Sequence, residues 1–133
     1  MQVEQRLLKY VSYWTTSDEN NMADGKIQIP STGRQFDLGK VLEQELRDLG
    51  LKNVILTDHC YVYGLLPATA GCEGHKAVGF ISHMDTAPDY SGENVKPQII
   101  ENYNGKDVVL GTSGRILSVS DFPALQQMEG KTL

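Results

Sequence analysis

The chain has 133 residues, enough for one core that buries roughly two thirds of its unfolded surface and too few for two domains of ordinary size. A formal net charge of −5 and a pI near 5.1 argue against nucleic-acid binding, and the scattered Lys and Arg form no patch that would hold an anionic membrane. No stretch reaches transmembrane length, Glu4, Arg6 and Lys9 break up what would be a signal peptide, and Cys60 and Cys72 form no C-x-x-C motif, so two free thiols in a cytoplasmic protein are expected.

Val3, Leu7, Leu8, Val11 and Trp14 recur at helical spacing, which predicts an amphipathic helix over Gln2 to Tyr13 with Trp14 in the core. Thr15 to Gly25 is polar and reads as a loop. Thr32-Gly-Arg-Gln35 has the form of a capping box. The helix it would open carries Leu38, Val41, Leu42, Leu46 and Leu49 as one stripe, with Gly50 placed to end it in a left-handed conformation. Asn53 to Thr57 and Tyr61 to Leu66 read as strands on either side of Asp58-His-Cys60. With no second Cys/His cluster at zinc spacing, His59 is expected to be exposed beside a buried Cys60 thiol.

Ala77 to Ile81 is a short uncharged run that reads as a buried strand needing cover on both faces, as in a parallel sheet. His83 and Asp85 follow it, at the strand end where α/β folds gather their ligands. Alternation turns both side chains to one side, so the carboxylate can hold one ring nitrogen while the other faces a metal. A His-x-Asp pair by itself is more often a structural hydrogen bond, and one imidazole falls short of the three protein ligands of a catalytic zinc.

Beyond this pair, Gln98 to Tyr103 and Lys106 to Leu110 flank Asn104-Gly105, a strong hairpin signal, in an excursion expected to wall a cleft. Its acids, Asp89, Glu93, Glu101 and Asp107, read as a solvated face. Ser120-Asp-Phe-Pro123 looks like a cap before a short helix to about Met128, and Lys131-Thr-Leu133 like the opening of a strand, which hints at truncation.

Phe80-Ile-Ser-His-Met-Asp-Thr-Ala-Pro-Asp89 resembles the first metal motif of the M20 family of zinc aminopeptidases. Leu7 to Asn20, Ser31 to Leu51, Tyr61 to Pro67, Asn94-Val-Lys-Pro-Gln-Ile-Ile100 and Gly130-Lys-Thr-Leu133 are similar to the same family's amino-terminal part. The resemblance implies an α/β fold: the amino-terminal portion, residues 1–133, of a zinc-peptidase-like (phosphorylase/hydrolase-like) catalytic domain, a mixed sheet with flanking helices and a hairpin excursion. The rest of that domain and the dimerisation domain would lie beyond Leu133. It also implies cytoplasmic hydrolysis that releases the N-terminal residue of short peptides, tripeptides in particular. Two zinc ions would serve each site, with His83 a metal ligand and Asp85 the catalytic aspartate that orients it. A general-base glutamate and the other ligands would lie further along. The chain alone is then expected to be inactive and to self-associate through uncovered apolar surface, not through the contacts of the family's frequent homodimers. The alternative is a non-catalytic fragment or domain with only weak metal or partner binding.

Overall fold

A computed structural model describes residues 2–23 and 25–133 of the chain. Small helices and two-stranded antiparallel sheets make up two compact units, Met1–Val95 and Lys96–Leu133.

In the first unit, α1 covers Val3–Tyr10 and α2 covers Gln35–Asp48. Helix α1 is four residues shorter than its apolar spacing predicts, one at its start and three at its end, and it buries no side chain fully. Val3 and Leu7 stand 81% and 61% exposed, so the expected apolar stripe is not what fixes it. A polar face does that. Lys9 Nζ donates to Glu45 Oε1 at 2.7 Å, the Tyr10 hydroxyl donates to the other oxygen, and Arg6 Nε lies 3.8 Å from the same carboxylate. Residues 6, 9 and 10 share one face of a helix, so a single acid on α2 meets all three.

The Lys9 and Tyr10 hydrogen bonds lower the pKa of Glu45, whereas burial and then Glu45 push Tyr10 up to about 12. The carboxylate therefore stabilises the fold above the ordinary carboxyl range, and that contribution is lost as pH falls through its lowered pKa. Tyr10, raised from 10.0, contributes fully below that value and loses its share as pH rises toward about 12. Glu45→Ala is expected to destabilise the Met1–Val95 unit by roughly 1.5–3 kcal/mol at pH 7, the range for hydrogen bonds to a charged group. Urea midpoints at pH 7 and pH 3 check this. The variant's deficit should shrink at the lower pH, and an equal deficit at both would contradict the linkage.

The stripe on α2 packs Leu38, the most buried of its members, against the hairpin of β3 (Lys52–Leu56) and β4 (Val62–Leu65), with Val54 and Cys60 also buried. Two glycines permit the approach. A Cβ on Gly39 would lie 3.1 Å from Leu56 Cδ1 and 3.2 Å from Cys60 Sγ, and one on Gly64 would lie 2.9 Å from Leu51 Cδ2. The helix ends as its sequence predicts. Gly50 has φ +84°, its N–H donates to Arg47 O at 2.9 Å, and Leu51 N–H donates to Leu46 O at 3.1 Å, the paired bonds of a Schellman ending. Its start differs from expectation. The Thr32 hydroxyl donates to Thr16 O at 3.3 Å, Arg34 occupies the cap in a helical conformation, and the Gln35 amide nitrogen donates to the Ser31 hydroxyl. The tertiary partner has taken the hydroxyl from its local one.

The stretch expected to be a loop contains a short hairpin, β1 (Met22–Ala23) with β2 (Lys26–Ile27), closed near Gly25 at φ +72°; Asp24 lies outside the described residues. Trp14 is 37% exposed, not core, and the Arg34 guanidinium lies 3.8 Å over its ring. The largest departure concerns Ala77 to Ile81, which forms no strand. Val78, Phe80 and Ile81 stand 77%, 95% and 101% exposed. Each observed hairpin joins runs that are close in sequence, whereas this run has no such neighbour. Among the described residues nothing bonds its backbone, so neither a parallel nor a mixed sheet assembles.

In the second unit, β5 (Val108–Leu110) pairs with β6 (Arg115–Leu117) across Gly111–Gly114, where both glycines have positive φ. The hairpin expected around Asn104-Gly105 is absent. The Asn104 side chain accepts from the Lys106 N–H, and Gly105 at φ +73° turns the chain without pairing its flanks. Residues 100–103 instead exchange backbone bonds with the chain end: Ile100 with Leu133 in both directions at 3.0 Å, and Tyr103 with Lys131 and Gly130. The end of the chain is thus paired, not an open edge. Pro123–Met128 forms the expected short helix, of 3₁₀ type with Pro at its start.

Candidate metal-ligand site

His83 and Asp85 lie in the first unit on an irregular segment, not at a strand end. The ring is held all the same. His83 Nδ1 is 2.8 Å from the Asp85 carbonyl oxygen and 3.2 Å from its Oδ1. A carbonyl oxygen only accepts, so Nδ1 carries the proton and donates. In the neutral ring Nε2 is then left with its lone pair, on a side chain 83% exposed. Asp85, 39% exposed, adds a carboxylate oxygen on the same Nδ1 side, so the ring is held there by two oxygens of one residue.

Directly after the pair, Thr86 bridges Thr16 in a parallel sense. Thr86 N–H donates to Thr15 O at 3.3 Å, Ser17 N–H donates to Thr86 O at 3.0 Å, and the Thr86 hydroxyl donates to Thr16 Oγ1 at 3.2 Å. Nothing in residue spacing marked Thr16 and Thr86, which lie 70 positions apart; Thr16 is buried and Thr86 is exposed. Beside Asp85 is a cleft of about 330 Å³ bounded by Ser17, Asp18, Asn21, Met22 and Ile27 among others.

The remaining candidates stand apart from the pair. The His59 side chain is 55% exposed, with Nδ1 2.7 Å from Asp58 Oδ1, and Cys60 is buried, its thiol pKa raised by that burial, as the sequence predicts for both. Cys72 is an exposed free thiol and His75 lies in a turn. Among the described residues no three His, Cys, Asp or Glu side chains converge on one point, so the donors present are one imidazole and one carboxylate. They fit one corner of a zinc site and do not complete one.

No family model matches the chain. Curated proteins match it from end to end. It is 48% identical over 133 residues to "Peptidase T" of Clostridium acetobutylicum, in an alignment covering 99% of this chain and 31% of that protein. The chain is a relative of peptidase T. The peptidase T of Alkaliphilus oremlandii is 47% identical over 133 residues, with 97% and 31% covered, and that of Shewanella halifaxensis 48% over 133 residues, with 99% and 30% covered. The chain therefore spans about a third of the length of the peptidase T sequences it matches. None of its helices, among the described residues, is long and apolar enough to cross a membrane.

Proposed function

We propose that the chain is the amino-terminal portion of a peptidase T catalytic domain, a zinc-dependent aminopeptidase that releases the N-terminal residue of tripeptides. The similarity to proteins of that name along 99% of the chain carries this reading. His83 is the residue we assign to zinc, through the free Nε2, and Asp85 the aspartate that orients it. When bound, zinc polarises a scissile carbonyl and lowers the pKa of a water molecule. The other ligands and the general base belong to residues outside this chain. With one imidazole and one carboxylate, the chain alone is expected to release no amino acid from tripeptides, with or without added zinc.

The test is a chimera in which this chain replaces the matching third of the Clostridium acetobutylicum protein. It should cleave tripeptides from their N-terminus, His83→Ala should abolish that activity, and Asp85→Asn should lower activity or zinc affinity by about 10–100-fold. A folded, zinc-loaded chimera whose turnover is unaffected by either substitution would refute the assignment.

A further inference from the structure

We propose that Thr15 and Thr16 are positioning residues for His83, acting through the peptide group that joins Asp85 to Thr86. That group is planar and trans, so its C=O and N–H point in opposite directions. Its N–H is donated to Thr15 O at 3.3 Å, and its C=O therefore faces the other way, onto His83 Nδ1 at 2.8 Å. Fixing one end of the group fixes the other. The backbone carbonyl, 0.4 Å nearer than the carboxylate oxygen at 3.2 Å, sets the tautomer.

What grips the group is a buried polar lattice. Thr15, Thr16 and Thr32 are 3%, 6% and 7% exposed, whereas the ring they direct is 83% exposed. Thr16 Oγ1 accepts from Gly92 N–H at 2.8 Å and from the Thr86 hydroxyl, and Thr16 O accepts from the Thr32 hydroxyl and from Arg34 Nη2 at 2.9 Å. An exposed imidazole joined only to its own neighbours would sample both tautomers. Here a carbonyl anchored to the interior holds Nδ1–H and presents Nε2 as an acceptor. Gly92 belongs to the same device, because a Cβ there would lie 2.8 Å from Thr16 Oγ1 and displace the hydroxyl. The inference takes its functional meaning from the zinc reading above, but its geometry does not depend on it.

The experiment is ¹⁵N detection of histidine ring nitrogens in the full chain, at a pH where the rings are neutral and without metal. His75, whose ring has no partner among the described residues, is the internal reference. Wild-type His83 should be predominantly Nδ1–H. Thr16→Val should move it to the tautomer ratio of His75, Thr16→Ser should restore it, and Asp85→Ala should leave it predominantly Nδ1–H. Gly92→Ala breaks the same contact by a different route and should match Thr16→Val. Wild-type tautomer in folded Thr16→Val and Gly92→Ala chains, or its loss in Asp85→Ala alone, would overturn the proposal. Zinc added to the same samples is read separately. A wild-type His83 that ignores zinc removes the ligand assignment, while the tautomer comparison still decides the role of the threonines.

Discussion

Tyr103→Ala is expected to unfold the Lys96–Leu133 unit while the Met1–Val95 unit keeps its structure. Tyr103 is 2% exposed, the most completely buried large side chain among the described residues. Its backbone joins the two ends of the unit, with N–H donating to Lys131 O at 2.9 Å and O accepting from Gly130 N–H at 2.7 Å, and its hydroxyl donates to Lys106 O. Truncating a buried aromatic costs about 3–5 kcal/mol. A unit this small has little stability to spare, since the surface buried per residue falls with size. Amide exchange at Ile100, Tyr103 and Leu133 should become unprotected, and trypsin should cut after Lys106 and Arg115. Tyr103→Phe loses only the hydroxyl bond, worth about 0.5–1.5 kcal/mol, and should keep the protection. Protected amides in Tyr103→Ala would show that the unit has a different centre.

Self-association is expected to be the dominant solution property of the isolated chain, through residues 77–81. Val78, Phe80 and Ile81 are almost wholly exposed, on a segment whose backbone donors and acceptors find no partner among the described residues. Burying such a side chain is worth about 1.5–3 kcal/mol, and unpaired backbone edges recruit other chains. Light scattering over a dilution series should give masses above the 14.7 kDa of one chain, and the double substitution Phe80→Ser, Ile81→Ser should restore the monomer. A wild-type monomer at all concentrations, binding no hydrophobic dye, would contradict this. Lys131 to Leu133 offer no such edge, because Lys131 pairs with Tyr103 and Leu133 with Ile100.

Local chemistry was legible for several elements whose partners lie close in sequence. The α2 stripe, its Gly50 ending and the β3–β4 hairpin follow from spacing, because each is completed within a few residues. The Asp24-Gly25 dipeptide carried a hairpin signal that the polar composition around it concealed. Elsewhere distant partners overrode local form. Thr32 gives its hydroxyl to Thr16 instead of the helix start, and residues 100–103 pair with the chain end instead of crossing Asn104-Gly105. The run Ala77 to Ile81 has the composition of a buried strand, but composition names no neighbour. At the candidate site, the two-residue spacing accounts for the proximity of His83 and Asp85. The leading share of the backbone carbonyl was not legible, because its direction depends on Thr15, some 70 residues upstream.

Whether His83 offers Nε2 to a metal is tested most directly by titrating the isolated chain with zinc while following the ring nitrogens of all three histidines. His59, also paired with a carboxylate, and His75, whose ring has no partner among the described residues, are built-in controls. The expected result is a selective shift of His83 Nε2 at zinc concentrations that leave the other two unchanged, abolished by His83→Ala. Parallel shifts at all three histidines, or a silent His83, would contradict a metal-ligand role for this residue.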